Sequence, residues 1–200
     1  MTFLSFRVIV CLYLFSMTFT NVKAMENLTS LANFKSSNED GNICGDFSIR
    51  IARDGTWWHE GRPIRRHALV KLFSTVLQCD ADGQYWLRTP AEAGRITVDD
   101  APFVTTAIEI SGLGADMRVR ITTNIDKVIT IDTTRPLYIG DNGVPYVGLD
   151  KGLSVRLMQS HYYELAEYAV ADPNDAARLG VYSAGVFFVL YNDRGQDETL

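Results

Sequence analysis

Cysteine is scarce in this chain, with only Cys11, Cys44 and Cys79 among 200 residues, and no two lie at metal-ligand spacing. That excludes a disulfide framework and a thiolate metal site, and leaves two buried thiols at Cys44 and Cys79 as the plainer expectation. Basic charge is also in short supply: 19 Lys and Arg face 24 Asp and Glu, a formal −5 with no run of like sign. A surface for nucleic-acid polymers or anionic membranes needs a basic excess or cluster, so both partners are set aside. No apolar run is long enough for stable membrane insertion. Nor does the sequence spell a nucleophile beside a base. His59 and Glu60 are neighbours, and on a strand they would point to opposite faces rather than form one acid/base pair. No metal or cofactor is expected.

What is present suffices for a folded body. With 46% hydrophobic and 22% charged residues, the chain can bury the core of one large domain or two small ones. Residues 1–24 read as a signal-like leader or a mis-assigned start: Arg7 precedes the apolar run Val8 to Phe15, and Ala24 closes the segment immediately before Met25. A start at Met25, giving a cytoplasmic protein, is the favoured expectation; a periplasmic or secreted product cleaved after Ala24 is the alternative. Loss of Arg7 and Lys23 would leave the remainder two charges more acidic than the whole. Residues 25–45, rich in Asn, Ser, Glu, Asp and Gly, are expected to form a mobile arm, and residues 192–200 a polar tail.

The body is expected to be α+β. Tyr85 to Phe103 anchors the reading: a short aromatic strand to Arg88, a capped turn at Thr89-Pro90-Ala91-Glu92, and a half-buried strand from Arg95 to Asp99, closed by Pro102. Before it, Phe47 to Ile51 and Thr56 to Glu60 form a hairpin about Asp54-Gly55. Leu69, Leu72, Phe73, Val76 and Leu77 then place an amphipathic helix over residues 65–78. After Phe103, strands are expected at Val104 to Ile110, Met117 to Thr122, Val128 to Ile131, Leu137 to Ile139 and Tyr146 to Leu149. Leu153, Leu157 and Leu165 predict a second helix over roughly Gly152 to Val170, before Pro173, and Gly180 to Tyr191 a final buried strand. Hairpin, Gly-x-Pro, helix and aromatic strand thus occur twice. That order predicts two duplicated α+β units, 46–111 and 112–191, with a cleft between them as the default ligand site.

Six blocks carry a family resemblance: Asp54 to Ile64, Tyr85 to Phe103, Thr122-Thr123-Asn124, Pro145-Tyr146, Tyr162 to Leu165, and Tyr182-Ser183-Ala184-Gly185. In this order they resemble the bacterial domain of unknown function 1285 family over about Ile43 to Leu190. The most specific part is Trp-Leu-x-Thr-Pro-x-Glu at Trp86 to Glu92, followed by Val-Asp-Asp-Ala-Pro-Phe at Val98 to Phe103. The resemblance implies two duplicated α+β units, the C-terminal one pleckstrin-homology-like, a pocket between them for a nucleotide-like ligand, and a role in signalling. It brings no enzymatic activity. The sequence departs from the family pattern at Asp99, where Glu is usual, and at Gln159-Ser160, where Arg-Pro would supply an anion contact.

The ligand-binding candidates are Trp58, Trp86, Thr89, Asp99, Asp100, Phe103, Tyr146 and Tyr163. Aromatic faces stack bases at roughly 1–3 kcal/mol each, but Trp57, Trp58, Trp86, Tyr146 and Tyr163 also have the plainer role of core. Asp99 and Asp100 can hold a ribose hydroxyl or a metal, or simply cap the backbone before Ala101-Pro102. His161 falls on the apolar side of its helix and is expected as a hydrogen-bonded core histidine. Cys44 and Cys79 are expected to stay unjoined. The favoured reading is a non-enzymatic ligand-sensing or interaction protein, with a protein partner as a further option. The alternative is a small metal-dependent hydrolase or transferase using Asp99 and Asp100.

Overall fold

The computed structural model describes residues 43–90 and 92–192; the expected leader, most of the expected arm and the tail beyond 192 lie outside them. Alternating apolar positions build a first six-stranded sheet: β1 (Ile43–Ile51), β2 (Trp57–His59), β3 (Arg62–Pro63), β4 (Leu77–Cys79), β5 (Tyr85–Arg88) and β6 (Ala93–Val98). Their order is β3-β2-β1-β6-β5-β4. Neighbours are antiparallel except β1 and β6, which run parallel at the centre. Ile43 to Gly45, expected in the arm, begin β1 instead. One face buries Ile49, Ile51, Trp57, Leu87 and Ile96. Helix α1 (His67–Val76) adds Val70 and Phe73 to this core, and the Phe73 ring stacks on Trp57 with centroids 6.1 Å apart.

A second sheet repeats the connectivity with β7 (Phe103–Ser111), β8 (Arg118–Thr123), β9 (Val128–Thr130), β10 (Leu137–Ile139), β11 (Pro145–Gly148) and β12 (Ser154–Arg156). Its order is β10-β11-β12-β7-β8-β9, with β12 and β7 as the central parallel pair. In both sheets the first three strands step outward on one side, the last three on the other, and first and sixth close the middle. Among the described residues, two similar six-stranded sheets with two helices make the fold α+β with duplicated units. The expected boundary at 111/112 is corrected: Ser111 pairs with Arg118 inside the β7–β8 hairpin, so a division there would split one sheet. The chain changes sheet over 99–102. The repeating element is also not hairpin-helix-strand. Where α1 joins β3 to β4, a turn closed by hydrogen bonds between Asp132 and Arg135 joins β9 to β10.

The long helix expected from Gly152 to Val170 is corrected as well. A 3-10 turn (Asp150–Gly152) leads into β12, then α2 (Gln159–Ala166), then β13 (Val170–Asp172). Leu153, Val155 and Leu157 are all buried at the period of a strand, although Leu153, Leu157 and Leu165 also fit helical spacing. The expected last strand is a hairpin of β14 (Asp175–Ser183) and β15 (Val186–Asn192), turned by Ala184 and Gly185 at positive φ. β13, β14 and β15 form a three-stranded antiparallel sheet. Fully buried Ser183 bolts it to the second unit: its Oγ donates to the Ile131 carbonyl at 2.6 Å and accepts from the Val119 N–H at 3.0 Å. No helix among the described residues is long and apolar enough to cross a membrane.

Candidate functional site

Strand register in the second sheet sets one core residue from each of four strands in a row. Leu137, Val147, Val155 and Phe103 face one another across β10, β11, β12 and β7, and all are buried. Side chains alternate along a strand, so the next row emerges on the other face: Tyr138, Tyr146, Arg156 and Val104. That row meets the first unit. Asp100 arrives there from the short link between the sheets. Its Oδ1 accepts from Tyr146 Oη and its Oδ2 from Arg156 Nη1, both at 2.5 Å, and Arg53 Nε of the first unit lies 4.0 Å from the same Oδ2. Asn142 Nδ2 donates to Tyr146 Oη at 2.8 Å. Tyr138 stacks on Tyr146 at 5.7 Å and keeps an exposed ring.

From the first unit Tyr85 enters the same neighbourhood. Burial first, then nearby Cys79, Tyr138 and Asp100, push its hydroxyl up to about 12. Burial and then Asp100 raise Tyr146 as well, so both phenols stay protonated donors at neutral pH. Burial, reinforced by Asp80, pushes the Cys79 thiol up, which makes it a poor nucleophile. The seam is stitched elsewhere by Asn124, whose Nδ2 donates to the Gly55 carbonyl at 3.1 Å, and by Asp126, which pairs with His67 at 2.8 Å and Lys71 at 2.7 Å on α1.

The eight predicted ligand residues do not form one site. Asp100 and Tyr146 meet at the seam, while Phe103 belongs to the core row behind them. Asp99 turns the other way: Arg50 grips both its oxygens, at 2.8 and 2.5 Å, and holds it below the usual carboxylate range. Arg50 takes Asp99 and Arg156 takes Asp100, with Arg53 near both, so each carboxylate is already committed to its own arginine. Trp58 lies opposite Arg50 and Trp86 opposite Arg95, on the face of the first sheet away from its core. The Trp86 indole donates to Asp80 at 2.8 Å, and the Arg88 guanidinium sits 5.1 Å from its ring centre. Tyr85 and Trp86 are adjacent and therefore face opposite ways. Thr89 caps its turn, accepting from the Glu92 N–H at 3.2 Å and donating to the Glu92 carbonyl at 3.0 Å. Tyr163 is exposed on α2, its hydroxyl accepting from Gln159. His161 is hydrogen-bonded to Thr105 at 2.7 Å, as expected, but is half-buried rather than part of the core.

Sequence reasoning passed over Tyr85, Tyr138, Arg156, Arg53 and Asn142. The available signal was weak: Tyr138 and Arg156 each follow a core residue on a three-residue strand, and only register brings them together. Cys79 carries a free thiol. Cys44 lies on β1 and Cys79 on β4 with two strands between, so their backbones stand about 14 Å apart, beyond disulfide reach.

Two family profiles cover this architecture. The domain of unknown function DUF1285, N-terminal domain, matches residues 38–101, and the protein of unknown function DUF1285, C-terminal domain, matches residues 102–190. Their junction falls in the link that carries the chain from β6 to β7. Among solved structures, a DUF1285 family protein from Silicibacter pomeroyi DSS-3 is 31% identical with a TM-score of 0.70, over 84% of this chain and 95% of that one. A DUF1285 family protein from Shewanella baltica OS155 is 26% identical with a TM-score of 0.50, over 61% of this chain and 92% of that one. No curated protein matches the chain.

Proposed function

The chain belongs to the DUF1285 family, and from that premise we propose that it is a non-enzymatic ligand-sensing protein whose seam between the two units takes a nucleotide-like molecule. The supporting observation is the exposed Tyr138 ring stacked on Tyr146, with Arg53 and Arg156 beside it around Asp100. An aromatic face offers stacking to a base, and guanidinium groups match phosphate oxygens in geometry and charge. A ligand bridging Arg53 of one unit and Tyr138 of the other would alter contacts across the seam, which is the route to a signalling role. The same proposal extends to a pleckstrin-homology-like C-terminal half, the strands of its six-stranded sheet followed by helix α2, and to a cytoplasmic protein starting at Met25; fractionation with intact-mass measurement tests the location.

A thermal melt against nucleoside mono- and diphosphates and cyclic dinucleotides tests the ligand. At 100 times its dissociation constant a ligand stabilises the native state by about 2.7 kcal/mol, which for a chain of this size raises the melting temperature on the order of 5–10 °C. Tyr138→Ala should erase the shift, because its exposed ring contributes to the ligand rather than to the core. A panel that moves the transition by less than about a degree at millimolar concentration overturns the nucleotide reading.

A further inference from the structure

The central strand pair of the first sheet carries a cleft of about 250 Å³, lined by Asp46, Phe47, Gln84, Arg95, Ile96 and Thr97. It lies at a fault in the ladder. Asp46 faces Arg95 and Arg50 faces Thr97, so β1 advances four residues (46 to 50) while β6 advances two (95 to 97), and the pairing between them is disrupted. Bulges of this kind recur beside functional sites. One charge of each sign stands at the cleft: Arg95 Nε donates to Asp46 Oδ1 at 2.7 Å and its Nη2 to Oδ2 at 3.4 Å. With Arg95 50% and Asp46 69% exposed, water already competes for this pair, and it opens at little cost. The neighbouring charges are engaged elsewhere: Arg50 with Asp99, Arg88 over the Trp86 ring, and Asp80 with the Trp86 indole N–H. Among the described residues, the three arginines Arg50, Arg88 and Arg95 are thus balanced by the three aspartates Asp46, Asp80 and Asp99. A simple anion or cation meets no net field there.

We propose that this cleft binds a free α-amino acid as its zwitterion, the ammonium replacing Arg95 on Asp46 and the carboxylate taking the planar fork of the Arg95 guanidinium. One internal ion pair is exchanged for two pairs to the ligand, with the net charge of the site unchanged. A molecule carrying both signs is therefore the charge complement of the cleft. Gln84 and Thr97 offer amide and hydroxyl groups to a polar ligand side chain. Trp86 stands next to the site without lining it, its ring centre 6.0 Å from the Arg95 guanidinium carbon. None of these residues belongs to the Tyr138–Tyr146 seam, so either site stands without the other.

Calorimetric titration of the full chain with glycine, L-serine and L-glutamine tests this, with tryptophan fluorescence as a local readout at Trp86. L-Glutamine should bind saturably. N-Acetyl-L-glutamine, which lacks the ammonium, and L-glutaminamide, which lacks the carboxylate, should each bind roughly tenfold more weakly, the size of one charge-assisted hydrogen bond. Asp46→Asn should erase the penalty for N-acetylation and keep that for amidation, and Arg95→Gln should do the reverse. A variant that merely loosened the strand pairing would weaken all three ligands alike. Both variants should melt within about two degrees of the parent, because the pair is exposed. Tyr138→Ala should leave the titration unchanged. The proposal is overturned by the lack of saturable binding of all three amino acids up to tens of millimolar, or by equal binding of L-glutamine and its two analogues. Tighter binding of an uncharged sugar such as trehalose than of any amino acid also overturns it, and would make a hydroxyl-rich neutral molecule the occupant.

Discussion

Replacing Asp100 by alanine tests whether the link between the sheets fastens the two units. The carboxylate is 11% exposed and accepts two hydrogen bonds of 2.5 Å, one from Tyr146 and one from the 22%-exposed guanidinium of Arg156. Charge-assisted bonds contribute about 1.5–3 kcal/mol each, and stripping one partner from a buried ion pair costs about 3–5 kcal/mol. Partial solvent access at Arg156 reduces both figures, so Asp100→Ala should cost about 2–4 kcal/mol and lower the melting temperature by roughly 5–15 °C. Urea denaturation followed by far-ultraviolet dichroism reads the energy directly. Asp99→Ala is the internal control. It removes a carboxylate bonded to the well-exposed Arg50 within the first unit and should barely move the transition. A double-mutant cycle with Arg156→Leu should show coupling above about 0.5 kcal/mol. Additivity within that limit, or an Asp100 variant no weaker than the Asp99 control, would refute the fastening role.

Three further outcomes follow from the same structure. Ser183→Ala should cost about 2–4 kcal/mol in urea denaturation, because it strands the buried Val119 N–H and Ile131 carbonyl together. Gly55→Ala should cost about 1–3 kcal/mol in the same assay: Gly55 has φ +80°, and a Cβ there would stand 2.5 Å from Asn124 Nδ2. On the alkaline side, Tyr85 has its folded value raised to about 12 from an unfolded value of about 10. Its contribution is fully present below about pH 10 and is lost as pH rises toward 12. The melting temperature should decline through that window, and Tyr85→Phe should flatten the decline.

Local signals carried much of the fold. β5 and β10 were legible because aromatic and branched residues are bracketed by turn formers, and Asp54-Gly55 marked the turn of the first hairpin. β12 was not legible, since Leu153 and Leu157 fit helical and strand periods equally well over so short a span. The β14–β15 turn hid because Ala184-Gly185 is a modest turn signal inside an apolar run. The parallel pairing of β1 with β6 lies wholly outside local reasoning, because nothing in either strand specifies a partner so distant along the chain. The candidate site divides in the same way. Asp100 and Tyr146 stood out as members of distinctive blocks, but Tyr85, Tyr138, Arg53 and Arg156 reach them only through strand register and the docking of two sheets. Trp58 and Trp86 drew attention as large aromatics, and alternation then sent them to the opposite face.

The central parallel pair in each sheet has a consequence for how the polypeptide is threaded and cut. Because first and sixth strands are parallel neighbours, the chain enters a unit at one end of the central pair and leaves at the other, and residues 99–102 carry it on into the next unit. The last strand synthesised must insert beside the first, so neither sheet can complete itself on a ribosome until its sixth strand has emerged. Contacts of that sequence separation slow folding. Rearrangement carries the same constraint: joining the end of β6 to the start of β1 and reopening the chain in the link before α1 should preserve every strand neighbour of the first sheet only with a linker that runs back along β1, roughly eight or more residues at about 3.3 Å each.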